Sequence, residues 1–246
     1  MIKFFRRIRQ NLISENRFSK YLLYAVGEII LVVVGILIAL QINNWNQYKL
    51  NRQKEAIYLS QLKEGLEYDL NKEFIPAVSI YSKIVKGADH ILGFNEDTRG
   101  IPSDSLAIHF RWCTTQEWDF IFNMAGYENL KSMGMDLISN DLIRSRISTL
   151  YSHSYANIRE VNQNYIKYWD HQVSPLIFKN FTLSRDSLTT NELQLLKENN
   201  HIKKTLSHLE KRRRWFLNNQ LIPIKEELES LTKGIELELE KLNNND

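Results

Sequence analysis

From Tyr21 to Leu40 the chain reads YLLYAVGEIILVVVGILIAL, twenty residues without a Lys or Arg and with one acid, Glu28. A helix of that length rises ~1.5 Å per residue and covers roughly the 30 Å hydrocarbon core of a bilayer. Tyr21 and Tyr24 at one end, and Trp45 and Tyr48 at the other, sit where interfacial aromatic belts are found. The pattern predicts a transmembrane helix over 21–45. Two placements of that helix compete. Centring it on 21–40 puts Glu28 below the headgroups. Sliding it to Ile29–Trp45 buries Gln41, Asn43 and Asn44 instead. Either way something polar meets lipid, which points to a protein partner in the membrane.

After Asn46 the apolar positions recur at helical spacing. Leu59, Leu62, Leu66 and Leu70 make one stripe, so the first helix is expected to continue to about Ile75. Pro76 suits the first turn of a new helix with the stripe Ile80, Ile84, Ala88, Ile91, closed by Gly93 as a left-handed cap. Residues 93–104 read as a turn-rich loop, followed by a short helix over 104–112. Thr114-x-x-Glu117 has the form of a capping box and predicts a helix reaching about Met133, where Met133-Gly134-Met135 breaks it. Ser139 with Asp141 is expected to cap the next helix, which Pro175 ends. A polar loop follows over 179–188, and Thr189-x-x-Glu192 opens another helix. The last helix covers about 200–242 with a kink at Pro223. With strand-like alternation nearly absent, the expected fold is all-α: one N-terminal transmembrane helix and then an antiparallel helical bundle.

Charge gives this layout a direction. Residues 1–20 carry Lys3, Arg6, Arg7, Arg9, Arg17 and Lys20 against Glu15, whereas residues 41–246 hold 26 cations and 27 anions. Only Lys49, Arg52 and Lys54 follow within twenty residues of the apolar run. The positive-inside rule then places the N-terminus in the cytoplasm and 46–246 in the periplasm of an inner-membrane protein; the opposite topology is the alternative. Ile2, Phe5, Ile8, Leu12 and Ile13 share one side of a basic helix, so 1–20 reads as a cytoplasmic amphipathic segment. Near the end of the apolar run no small-x-small pair precedes a cleavage point and no Cys follows it, which favours an uncleaved signal-anchor. A neutral bulk domain argues against a nucleic-acid partner. The single Cys113, among Phe110, Trp112 and Trp118, is expected to be an apolar filler, with no disulfide.

Within the span, Tyr21, Ala25, Glu28, Val32, Gly35, Ala39 and Ile42 follow alternating four- and three-residue steps and share one face. Gly35-x-x-x-Ala39 is a small-xxx-small pair, so this face is the candidate for association with another membrane helix or a second copy. Candidate chemistry elsewhere is thin. His90, His109, His153, His171, His201 and His208 form no HExxH, and His201 and His208 share a face more in the manner of surface residues than of ligands. No phosphate-cradling Gly loop or GxSxG elbow occurs, and no cofactor or metal is implied. The aromatic sets Trp112, Trp118, Phe120, Phe122, Tyr127 and Tyr151, Tyr155, Tyr165, Tyr168, Trp169 read as core before pocket. Lys211–Arg214 before Trp215 reads as a solvated helix face; contact with phosphate or an acidic partner is the alternative.

The stretches MIKFFRRIRQNLIS and YLLYAVGEIILVVVGILIALQINNWN, and more weakly GYENLKSMGMDLISNDLIRSRISTLY over 126–151, resemble a Bacteroidota-type family of single-pass membrane proteins of unknown function. Glu28, Gly35, Gln41, Asn43, Asn44 and Trp45 fall on its motif positions. The resemblance implies a membrane-anchored helical protein and brings no activity with it. The expected function is a non-enzymatic interaction or scaffold module. The alternatives are a ligand-sensing bundle that signals through a partner chain, and an enzyme without a recognisable motif.

Overall fold

A computed structural model describes residues 18–93 and 103–244. Of these, 88% are helical and none is in a strand. The chain divides into two compact units, Met1–Lys54 and Glu55–Asp246.

In the first unit the described residues form the start of helix α1, Phe18–Asp69. This stretch is apolar all round, so it has no polar face to turn to water, and among the described residues of its unit no second apolar surface covers it. Its Leu, Ile and Val side chains from Leu22 to Ile42 are accordingly exposed, apart from the part-exposed residues near Ala25 and Glu28. It is the one helix among the described residues long and apolar enough to cross a membrane. Lys3, Arg6, Arg7, Arg9 and Arg17 lie outside the described residues, as does most of the loop expected over 93–104.

The second unit is an up-down-up-down bundle of four legs. The first is the end of α1 from Glu55, a π-helical turn at Leu70–Phe74, and α2, Ile75–Gly93. The second descends through α3, Ser103–Cys113, a non-helical stretch over 114–124, and α4, Ala125–Met133. The third ascends through α5, Asp141–Thr149, α6, Tyr155–Tyr168, and α7, Ser174–Asn180, with π-turns at Leu150–Ser154 and Trp169–Val173. After the short α8, Thr190–Glu198, the fourth descends as α9, Asn200–Phe216, a π-turn at Leu217–Leu221, and α10, Ile222–Asn244. Cross-leg contacts fix the directions. Glu55 meets Ser139 and Asp69 meets Tyr155, so legs one and three are parallel. Asn140 meets Glu238, Asn157 meets Gln220 and Tyr165 meets Arg212, so leg four runs against leg three.

Most predicted stripe positions are buried, Leu59, Leu62, Leu66, Ile84, Ala88 and Ile91 among them. Leu70 and Ile80 are only half-buried, and Phe74, Ala77 and Tyr81 take the inward places between. Leu59, Leu62, Leu66, Phe74, Ala77 and Tyr81 pack with Phe120, Phe122, Tyr155, Phe216 and Leu228 in one core cluster. Ile91, Leu106, Phe110, Trp169, Ile177, Ile202 and Leu206 fill a second. Cys113 lies in the second, and burial pushes its thiol pKa up to about 12, so it is an inert filler there.

Several local expectations fail for physical reasons. Pro76 does lie in the first turn of α2, but no break precedes it, and Pro175 does not end a helix, since helical structure runs through both. In each case, and again at Pro223, the residue before the proline donates its N–H five residues back. Ile75 bonds Leu70 O, Ser174 bonds Trp169 O and Ile222 bonds Leu217 O. A proline clashes with the carbonyl four residues back and disfavours α geometry in the residue before it. Widening one turn to π geometry relieves the crowding, and the helix continues. Gly93 ends α2 without the left-handed conformation, which among the described glycines only Gly134 adopts, at φ 101° after α4. Ser139 does not cap α5. Asn140 does, accepting from the Ile143 N–H, while Ser139 donates through its N–H and hydroxyl to Glu55. Thr114 with Glu117 opens no helix either: Thr114 Oγ1 donates back to Phe110 O, closing α3, and the chain then stays non-helical to Met124. Thr189 and Glu192, by contrast, form the expected capping box.

Candidate functional site

The stretch over 114–124 is neither helix nor strand, and its side chains divide between core and solvent. Glu117, Phe120 and Phe122 point inward while Asp119 and Ile121 face solvent. Thr114 and Thr115 still bond back to Phe110 O and Trp112 O, but beyond them a partly buried non-helical segment has no helix ladder and no sheet neighbour, so its backbone groups need other partners. Each of the other three legs sends one. Asp69 Oδ1 of leg one accepts the Asn123 N–H at 2.7 Å. Asn162 Nδ2 of leg three donates to Trp118 O at 2.6 Å. Arg213 of leg four donates from Nη1 to Cys113 O at 2.7 Å and from Nη2 to Thr115 O.

Arg213 is fully buried, and its charge is met by Glu117, which is also buried: Nε reaches Oε1 at 2.9 Å, and Tyr81 Oη donates to Oε2 at 2.8 Å. Burial and the Glu117 carboxylate together hold the Tyr81 hydroxyl well above its usual pKa, so it stays a donor. Trp118 Nε1 donates to Glu73 at 2.9 Å, and Tyr155 Oη donates to Asp69 Oδ2 at 2.8 Å. Burial raises the Asp69 carboxyl pKa from its ordinary 3.8 to about 6; the Asn123 N–H and the Tyr155 hydroxyl oppose that rise, Glu73 adds to it, and Arg159 opposes it. Tyr151 Oη lies close enough to feel the Asp69 charge and has no hydrogen-bond partner among the described residues. Phe122 stacks on Tyr155 at 3.9 Å and Tyr127 on Tyr151 at 4.5 Å, closing the network under aromatic rings.

The charge pattern reads Lys211–Arg214 as a solvated face, and for Arg213 that is wrong. Ile202, Leu206, Leu209, Arg213 and Phe216 form a single buried stripe, so the helical period itself carries Arg213 inward. The aromatic sets are largely core, with Trp112, Trp118 and Tyr168 only part-buried. His201 and His208 are exposed, and no group of three or more potential metal ligands occurs among the described residues.

On the predicted association face of α1, Ala25, Glu28 and Val32, with Ile29 and Val33, line one shallow cleft of about 390 Å³. Gly35, Ala39 and Ile42 continue along the same exposed helix, and a Cβ added at Gly35 meets nothing within 4 Å. Lys20 and Tyr21 lie in the helix, with side chains outside the described set. Trp45 and Tyr48 are exposed, each beneath a cation one turn on: Lys49 Nζ lies 5.8 Å from the Trp45 ring, and Arg52 Cζ lies 5.3 Å from the Tyr48 ring.

Residues 28–83 match the model of a family described as "Family of unknown function (DUF6090)". The match begins at Glu28, takes in the Gly35, Gln41, Asn43, Asn44 and Trp45 positions, and runs on through the π-turn into α2. The basic opening and the 126–151 phrase fall outside it. No curated protein and no solved structure matches the chain.

The buried network has two measurable consequences. Removing one partner of the Glu117–Arg213 pair leaves a charge buried alone. Urea unfolding of Glu117→Gln and of Arg213→Met should therefore each show a loss of about 3–5 kcal/mol, and losses below about 1 kcal/mol would mean the pair carries no such weight. For Asp69 the sign runs the other way. Its folded pKa is raised, so stability from the neutral acid is present below the ordinary value and lost as pH rises through about 6. The stability of Asp69→Asn relative to the parent should then improve by up to about 3 kcal/mol between pH 4 and pH 8. A difference that does not change with pH contradicts this.

Proposed function

We propose that the protein is a membrane-anchored helical interaction module, held by residues 21–45 in an inner membrane. In this reading residues 1–20 lie in the cytoplasm on the anionic leaflet, and the helical domain lies in the periplasm. The observation that carries the reading is the uncovered apolar surface of α1 between Leu22 and Ile42. At ~25 cal/mol per Å², leaving such a surface in water is strongly unfavourable, and a bilayer removes the penalty. The charge step across the helix supports the direction, and the cations over Trp45 and Tyr48 suit an interfacial depth.

A role in binding, not turnover, is supported by how the domain uses its buried ionisable groups. Asp69, Glu73, Glu117 and Arg213 are each engaged in holding one leg of the bundle to the others. In the membrane, the face containing Gly35 and Ala39 is the surface proposed for a partner helix or a second copy.

Topology is tested with C-terminal fusions of the full chain. Alkaline phosphatase should be active and green fluorescent protein dark, with the product retained in the membrane after carbonate extraction. The opposite pair of reporter signals overturns the orientation, and release by carbonate overturns the anchor. Association is tested separately with a membrane two-hybrid reporter on the full chain. Gly35→Ile should lower the self-association signal at least about threefold, since bulk at a small-xxx-small site separates the backbones. A parent signal at the level of a non-dimerising control sinks self-association.

A further inference from the structure

Helix α9 concentrates positive charge in a domain whose remaining residues carry a net negative charge. It carries Lys203, Lys204, Lys211, Arg212, Arg213 and Arg214 against Glu210. The arginines are occupied. Arg213 is buried on Glu117, Arg214 pairs with Asp89 and Glu210, and Arg212 lies over the rings of Tyr165 and Tyr168 at 4.1 and 4.7 Å. The lysines are not: among the described residues no ion pair reaches Lys203, Lys204 or Lys211. These three, with Ser207, His208 and Leu92, line a single cleft of about 430 Å³ with no carboxylate in its lining. His208 is set edge-on against Tyr168, ring centroids 5.1 Å apart, which fixes one wall of the cleft.

Three lysines lining one cleft put like charges on the same wall, and an anion placed among them relieves their repulsion. A single carboxylate compensates one of the three. A phosphoryl group near neutral pH brings close to two negative charges and several acceptor oxygens, matched by the lysine donors, the Ser207 hydroxyl and a protonatable imidazole. Lysine binds phosphate as a flexible point charge and needs no planar fork. We propose that this cleft binds a soluble phosphorylated small molecule carrying two or more phosphate charges. The site stands apart from the membrane-helix face and does not depend on the anchor reading.

The test uses the full chain in non-ionic detergent, titrated with inorganic pyrophosphate by calorimetry. The parent should bind with a dissociation constant below about 1 mM, more weakly as salt is raised. The triple variant Lys203→Ala/Lys204→Ala/Lys211→Ala should bind at least about tenfold more weakly, and the charge-matched control Lys167→Ala/Lys179→Ala/Lys233→Ala should bind as the parent does. As a readout that needs no variant, the His208 imidazole resonances should shift on adding pyrophosphate. Absence of binding, or equal loss in both triples, overturns the proposal. Citrate bound as tightly as pyrophosphate would also overturn it, and so would binding only to anionic phospholipid vesicles.

Discussion

One requirement organises the second unit: a non-helical segment, 114–124, must find hydrogen-bond partners for its backbone inside a bundle of helices. A helix satisfies its own peptide groups, so helical legs can pack through apolar stripes alone. The descending second leg gives that up between α3 and α4 and borrows donors and acceptors from its three neighbours. Asp69, Asn162 and Arg213 each supply what the missing helix turns would have supplied. Each buried backbone group left unmade costs about 1–3 kcal/mol, and a domain has only about 5–15 kcal/mol of net stability. These side chains therefore decide whether the second leg can sit where it does.

That requirement explains why charges are tolerated in the core. A buried ion pair is commonly no more stabilising than a well-packed apolar pair of the same size. Arg213 does something an apolar residue cannot, because it also serves the carbonyls of Cys113 and Thr115. Glu117 is then needed to balance the guanidinium, and Tyr81 to occupy the carboxylate's second oxygen. The polar core arises from one non-helical segment, with each member recruited by the one before it.

The helical legs are legible in the sequence because a 3.6-residue apolar period survives along each of them: Leu59, Leu62 and Leu66 are buried as the stripe predicts. The second leg is not, because the same local signal has two outcomes. Thr189-x-x-Glu192 and Thr114-x-x-Glu117 are equivalent as capping boxes, and only the first forms one. The residues just beyond each box separate the two cases. After Thr189 comes the helical pair Leu193 and Leu196, whereas Trp118-Asp119-Phe120-Ile121-Phe122 alternates with a period of two. Glu117 is claimed by an arginine far along the chain, an interaction that no local window contains. The prolines mislead for a similar reason. Whether a proline breaks a helix or widens it to a π-turn depends on whether packing on both sides favours keeping the rod whole. At Pro76 the cores before and after it, Leu66 with Phe74 and then Ala77 with Tyr81, lie in one cluster, so continuity wins.

The two charge features of the domain are linked through α9. Its helical period forces Arg213 inward, where leg two supplies the matching acid, and the next residue, Arg214, takes Asp89 and Glu210. These pairings engage Glu117, Asp89 and Glu210 with the arginines. Lys203, Lys204 and Lys211, on the turns that face outward, are left with none. A domain whose charges sum almost to zero thereby acquires a locally cationic cleft, although the composition alone argues against any charged surface. The cause is geometric: the inward-facing residues of α9 are held by what leg two needs, so its outward-facing cations are the ones left for a ligand.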